Sequence, residues 1–461
     1  MEPHHAAALQ LLIQDPSRVI LDPQVVELLS KDFYWYSPVL RNQLEGKVGE
    51  IVVQPHSAEE IQKILGYCHA NNIPVTARGS GTGNYGQAVP LRGGVVLDLA
   101  HMDRLEQIQA DGVAVCQPGV RLGVLEGEAR KVGWELRCYP STIIKASVGG
   151  FLGGGSGGIG SVAHGALRDF QTVRALEVVT MEPDPRVVFH EGDAVHDILH
   201  AWGTNGIISR IWLALTPAVE WSQVVAAFDT YAAAFDFAEK IATGAEWSKR
   251  LVTVFEWPIP SFFTPVRQYS PAGKSLIYFM IAETQSAALE TSAREAGATV
   301  PYAGKYTGLV SRPLLSDYTW NHTTLWAMRS DDAYTYLQCG FDPDTVRDQM
   351  RQLRATFGNE ILFHMEFMKN AAGRVIPGAI PLVYFTTTER LNEMIDFCRG
   401  IGVFVANPHV NYVEGGGRYR ADNAQLRAKH RYDPEGLLNP GKMVSFHSES
   451  AEANTSGAKV K

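Results

Sequence analysis

The chain has 461 residues and a formal net charge of −8, with 45% hydrophobic and 20% charged residues. At ~100–200 residues per domain this predicts two or three globular domains. The acidic balance excludes a role driven by basic contact with nucleic acid or an anionic membrane. The five cysteines, Cys68, Cys116, Cys138, Cys339 and Cys398, are widely spaced with no C-x-x-C, which predicts a reducing compartment and no disulfide framework. The N-terminus lacks the basic region of a secretory signal, and no stretch reaches ~18 apolar residues. The expectation is a cytoplasmic protein without a transmembrane segment.

In chain order, residues 1–46 read as a helical extension that ends in the aromatic run Phe33, Tyr34, Trp35, Tyr36. At Ile51 a short apolar strand stops at Pro55, and Ser57 with Glu60 forms a capping box that opens a helix. A strand over 73–77 leads into R-G-S-G-T-G-N-Y-G, residues 78–86. Strands and helices then alternate to Pro217, with a strong strand over 173–181 and a helix over 193–202. From 218 to 430 the spacing predicts a second domain with an antiparallel sheet and amphipathic helices. A turn-rich motif follows at 431–446, and 447–461 reads as a disordered tail.

Two glycine-dense stretches stand out. Between Gly149 and Gly160, eight of twelve residues are glycine, yet Phe151, Leu152 and Ile159 interrupt them. A solvated linker has no use for those side chains, so the stretch is expected to be a packed backbone cradle for a large ligand with phosphates. The first stretch, 81–86, formally matches G-x-G-x-x-G, but it runs on into Pro90 with no helical pattern. It therefore lacks the helix that a dinucleotide fingerprint must open, and no G-K-[ST] follows. Its successive amides still suit an anion nest, with Thr82 and Asn84 as added donors.

These motifs together carry a resemblance. Residues 51–217 resemble the FAD-binding domain of the vanillyl-alcohol oxidase / p-cresol methylhydroxylase (PCMH-type) flavoproteins. The residues that carry it are Arg78–Gly83, Pro118-Gly119-Val120, Pro140-Ser141 with Ser147-Val148-Gly149-Gly150, Gly206-Ile207-Ile208, and D-P-x-x-L-L-N-P-G-K at 433–442. The resemblance implies an α+β protein, a two-subdomain FAD-binding domain at 47–217 with a substrate (cap) domain at 218–430, and FAD as cofactor. Arg78, Gly79, Ser80, Gly81, Thr82, Gly83 and Asn84 would hold the pyrophosphate. Pro118, Gly119, Pro140, Ser141, Ser147, Gly149, Gly150 and Gly153 would line the second flavin loop. Ile207 and Ile208 would flank the adenine end, and Asn439 would sit near the isoalloxazine. Thr82 stands where relatives with covalent flavin carry an attachment residue, and His164 and Cys138 do not match such positions, so noncovalent FAD is expected.

The nearest subgroup is similar to glycolate oxidase and D-lactate dehydrogenase. There a Leu-Trp-x-x-Arg stretch, here Leu325 to Arg329, gives an arginine to the substrate carboxylate, as a guanidinium fork can. The subgroup's metal motif is essentially gone. His364 and Glu366 share a strand face, but no metal is expected. His409 is the candidate general base for oxidising the CH–OH group of a 2-hydroxy acid by hydride transfer to flavin N5. The aromatic density at Tyr302, Tyr306, Tyr318, Trp320, His322, Trp326, Tyr334 and Tyr336 keeps an oxidase of aromatic alcohols open, and loss of the metal motif keeps open a flavin binder without catalysis. The implied partners are a small-molecule substrate and oxygen, a quinone or another carrier as electron acceptor. Self-association into a homo-oligomer is left open.

Overall fold

The computed structural model describes residues 2–416 and 423–446; the tail expected to be disordered lies outside them. A first sheet runs Val19–Ile20, Ile51–Val53, Val95–Asp98, Val75–Arg78, and its last three strands are parallel. The crossover helix Ala58–Ala70 places Ile61, Ile64, Leu65 and Cys68 at helical spacing against Ile51, Val53, Val95 and Leu97. Ser57 caps it through the Glu60 amide. The Glu60 carboxylate does not close a capping box. It accepts from the Gln14 and His56 amides and pairs with Arg18 at 3.2 Å, which hooks the N-terminal segment onto the domain. Residues 1–46 are accordingly more than a helical extension: Val19–Ile20 is an edge strand, flanked by the helices Pro3–Leu12, Pro23–Leu29 and Pro38–Leu44.

A second, antiparallel sheet runs Leu105–Ile108, Val113–Cys116, Ile207–Pro217, Val173–Val179, Val187–Glu191, with Trp134–Leu136 also paired to Ile207–Pro217. The helix expected over 193–202 is a 3-10 turn at Gly192–Asp197, after which His200 and Trp202 take positive φ and break any helix.

The third sheet has eight antiparallel strands, in the order Thr299–Lys305, Trp221–Phe228, Ser275–Ala282, Lys249–Phe255, His364–Lys369, Val375–Ala379, Gln338–Gly340, Phe404–Ala406. Helices Tyr231–Thr243, Ser286–Glu295, Val346–Phe357 and Thr388–Gly400 bury one of its faces. The alternate residues of Trp221–Phe228 and Lys249–Phe255 point the other way, where Phe255, Phe263, Tyr278 and Tyr318 form a separate aromatic core.

Arg250 joins the third sheet to the second. Its side chain is 2% exposed. It donates to Glu126 Oε1 and Leu136 O, both at 3.0 Å, lies 3.4 Å from Glu135, and sits over the Tyr139 ring. Burial opposes its charge, and the two carboxylates more than offset that, so its pKa rises. Without Arg250 the two buried carboxylates, Glu126 and Glu135, keep only Arg130 between them, so one buried negative charge loses its compensation. Arg250→Ala is therefore expected to lower unfolding free energy by about 3–5 kcal/mol in denaturant titration.

Candidate cofactor and substrate site

The first glycine loop leaves the sheet at Arg78. Gly81 takes φ +62, and a Cβ there would lie 2.1 Å from the Arg78 guanidinium, so that side chain runs directly beneath the apex. Arg78 donates to Lys31 O at 2.5 Å. Arg121, not singled out in the sequence, donates to Ser80 Oγ at 2.6 Å. Among the described residues, none of the amides of 79–84 donates a hydrogen bond within the protein, while Gly83 O accepts from the Phe33 amide at 2.6 Å. Six unpaired amides flanked by two guanidiniums make an anion nest.

The second stretch, expected to be a packed backbone cradle, opens as a short helix. Ser147 caps a seven-residue helix, Val148–Gly154, because its side chain accepts from the Gly150 amide while its carbonyl takes the Phe151 amide. The helix start lies against the first loop. A Cβ on Gly79 would stand 2.7 Å from Ser147 Oγ and 2.9 Å from Gly150 Cα. Pro118 packs on Gly149, where a Cβ would come within 2.4 Å, and Gly119 has the same clearance to Leu99 O. Tyr139 and Ile159 exchange both backbone hydrogen bonds, which holds Pro140 and buried Ser141 beside the end of the stretch. Gly153 has open space where a side chain would stand, and its carbonyl accepts from the Trp202 amide.

The C-terminal motif closes this site. The Asn439 amide donates to Val75 O, and its side chain donates to Gln87 O and Trp202 O, all at 2.8 Å. Its Oδ1 is buried without a partner, as are Gln87 Oε1 and Trp202 Nε1. Fully buried Lys442 donates to Gly86 O at 2.6 Å. Its pKa falls on burial, opposed by Asp32, whose own carboxyl rises on burial. Ile207 and Ile208 are buried core residues that pair with Val179 and Val178.

In the rest of the chain, where the substrate was expected to bind, His409 is not poised as a base. Its Nε2–H donates to Tyr336 O at 2.9 Å and its Nδ1 lies 2.8 Å from Ser37 Oγ, so both ring nitrogens are taken. Burial pushes its pKa down to about 4. His364 Nε2 lies 3.0 Å from Glu366 Oε1, and its Nδ1–H donates to Ile380 O. Among the described residues no group of three or more His, Cys, Asp or Glu could hold a metal. Glu366 instead accepts from the Trp320 amide at 2.8 Å, which anchors the helix Asn321–Ser330 at a residue strained to φ +52. That helix carries exposed Arg329, whose guanidinium lies 4.7 Å over the Trp326 ring with no carboxylate partner among the described residues. Two turns earlier stands His322, which the sequence reading noted only among the aromatics. Its Nδ1 lies 3.2 Å from Asp317 O, and because a carbonyl only accepts, Nε2 keeps its lone pair. Burial pushes the His322 pKa down to about 4; the Asp317 contact opposes this, and Arg329 and Lys145 add to it.

The aromatic segment does not make one pocket. Tyr318 stacks on Trp326, Tyr334 meets Phe262 and Tyr384, Tyr302 meets Tyr269, and Tyr306 lies under Arg130.

Residues 49–188 match a family model described as an FAD binding domain. These residues form an FAD binding domain. The chain is 32% identical over 185 residues to a D-lactate dehydrogenase of Archaeoglobus fulgidus, a match covering 38% of this chain and 41% of that protein. It is 24% identical to a mitochondrial D-2-hydroxyglutarate dehydrogenase of Bos taurus over 96% of this chain and 84% of that one, and 29% identical to a glycolate oxidase subunit of Bacillus subtilis over 39% of each. A solved alkyldihydroxyacetonephosphate synthase shares the fold at TM-score 0.72 and 17% identity, covering 96% of this chain and 85% of that one.

The site fits FAD. The unpaired amides of 79–84 with Arg78 and Arg121 suit its diphosphate, and the orphaned Asn439 Oδ1 and Gln87 Oε1 offer acceptors beside the loops. Cys138 is buried with its thiol pushed up to about 12 by burial, so it is no nucleophile. Gly79→Ala is expected to purify with most of its flavin lost, read as the ratio of flavin to protein absorbance, because its Cβ has no room. For His409 the linkage sign is clear: a folded pKa below the usual 6.5 gives stability that is complete above 6.5 and declines as pH falls toward 4. His409→Asn is expected to lessen that decline by about 1.4 kcal/mol per pH unit.

Proposed function

We propose that the protein is an FAD-dependent oxidoreductase that oxidises the CH–OH group of a 2-hydroxy acid, with FAD held noncovalently. The observation that carries this reading is the helix Asn321–Ser330, which presents an unpartnered guanidinium at Arg329 and a histidine with a free lone pair at His322. The names of the relatives, which are dehydrogenases or oxidases of hydroxy acids, support the substrate class.

FAD, when bound, supplies a two-electron acceptor for the hydride of the substrate C–H bond. Arg329 takes the substrate carboxylate as a fork. Its neighbour His322 accepts the hydroxyl proton at Nε2. The base is neutral throughout the physiological range, because burial and nearby cations disfavour its imidazolium. A carboxylate bound on Arg329 cancels part of that positive field and raises the basicity of His322 as the substrate arrives. The Glu366 carboxylate fixes the start of the helix, and with it the spacing of both groups. The aromatic-alcohol reading finds less support, since Tyr318 and Trp326 stack on each other while Tyr334 and Tyr302 pack against Phe262 and Tyr269.

Anaerobic addition of a panel of 2-hydroxy acids is expected to bleach the flavin absorbance, whereas vanillyl-type alcohols leave it unchanged; the reverse result sinks the reading. Arg329→Ala is expected to raise KM for the acids by about 10–100-fold, the loss of a charged hydrogen bond. His322→Gln is expected to lower kcat by about 10²–10⁴-fold at unchanged KM. The acid limb of kcat/KM should lie near the pKa of about 4 that burial gives His322, so activity holds as pH falls through 6.5. Acid precipitation should release all the flavin, and oxygen uptake compared with quinone reduction identifies the acceptor.

A further inference from the structure

A cavity of about 780 Å³ opens at the junction of the FAD domain and three central strands of the eight-stranded sheet, Lys249–Phe255, His364–Lys369 and Val375–Ala379. No residue of the loops 79–84 and 147–155 lines it, nor does Arg329 or His322, so it is separate from the cofactor and substrate site. Its charged lining divides into two sets. Glu135 is committed to Arg130 and Arg250, Glu239 to Arg347 at 2.7 Å, and Arg374 to Asp344 at 2.6 Å. Lys249 and Lys369 have no carboxylate partner among the described residues, and Lys249 donates to Gly244 O. Burial lowers the Lys249 pKa and Lys369 lowers it further, with Glu246, outside the lining, opposing. His164, also in the lining, feels the same field: burial first, then Arg137, Arg250 and Lys369, push it down to about 4. Trp247 and Phe367 supply apolar wall.

Two ammonium groups that repel each other in a half-buried cavity, with every lining carboxylate already taken, are relieved by an anion. A concave site with aromatic walls and a few convergent polar groups is the usual form of a small-molecule pocket. We propose that this cavity is a second ligand site, which binds a small organic anion by holding its carboxylate or phosphate between Lys249 and Lys369 and its apolar body against Trp247 and Phe367. A neutral His164 supplies a further hydrogen bond to the anionic group.

The test is calorimetric titration of the FAD-loaded enzyme with benzoate, phenyl phosphate, inorganic phosphate and uncharged benzyl alcohol. Saturable 1:1 binding of benzoate or phenyl phosphate, at least about tenfold tighter than inorganic phosphate and absent for benzyl alcohol, is the expected result. The stronger of the two names the anionic group. Lys249→Gln/Lys369→Gln is expected to weaken this binding by at least about tenfold while the thermal midpoint, flavin content and turnover are unchanged. Lys369→Gln alone, on a half-exposed side chain, gives a partial loss and serves if the double variant does not fold. Binding that survives these substitutions, that a 2-hydroxy acid displaces, or that inorganic phosphate matches would overturn the proposal, as would no binding of either organic anion.

Discussion

Gly79 meets Gly150 where a Cβ on Gly79 would stand 2.9 Å from the opposing Cα and 2.7 Å from Ser147 Oγ. Two segments about seventy residues apart in sequence can share one wall because Gly79 carries no Cβ at that point. The contact brings the loop 79–84, with its unpaired amides, beside the helix that Ser147 caps. The C-terminal segment then locks onto the same place, since Asn439 bonds to Val75, Gln87 and Trp202, and Lys442 bonds to Gly86. The glycine approach and these C-terminal bonds together bring three distant stretches of chain to the candidate FAD site.

The eight-stranded sheet and its helices are tied to that site by polar groups buried at the junction. Arg250 belongs to the eight-stranded sheet, but its guanidinium pairs with Glu135 of the second sheet and with Glu126 of the helix Leu122–Lys131, and its carbonyl accepts from the Gly160 amide. Glu366 works on a shorter range: it takes the Trp320 amide and holds a strained residue at the start of the helix that carries His322 and Arg329. Both devices use a charged group deep in the protein, where a missing partner is expensive and the geometry is correspondingly well defined.

The sequence made some of this legible and hid the rest for physical reasons. The glycine stretches and the D-P-x-x-L-L-N-P-G-K motif are local signals, because backbone conformation depends on residues next to one another. The strand over 173–181 and the Ser57 cap were readable for the same reason. The seven-residue helix at 148–154 was not, since four glycines in seven residues contradict helix propensity and only tertiary packing against Gly79 and Pro118 makes it form. Nor could the local pattern at 193–202 show that His200 and Trp202 take positive φ. His409 sat in a suggestive motif, but its two hydrogen bonds come from Ser37 and Tyr336, both remote in sequence. The free Nε2 lone pair of His322 became visible only once the Asp317 carbonyl fixed its tautomer. Arg121 lies 41 residues from Ser80, with no spacing to announce the pair.

Amide hydrogen exchange compares the FAD-free and FAD-loaded protein at the loop itself. If the unpaired amides of 79–84 hold the diphosphate, exchange of the peptide spanning them slows by at least about tenfold when FAD binds, and the peptide at 147–155 slows with it. Unchanged exchange at 79–84 in protein that has bound its full complement of FAD would contradict the account.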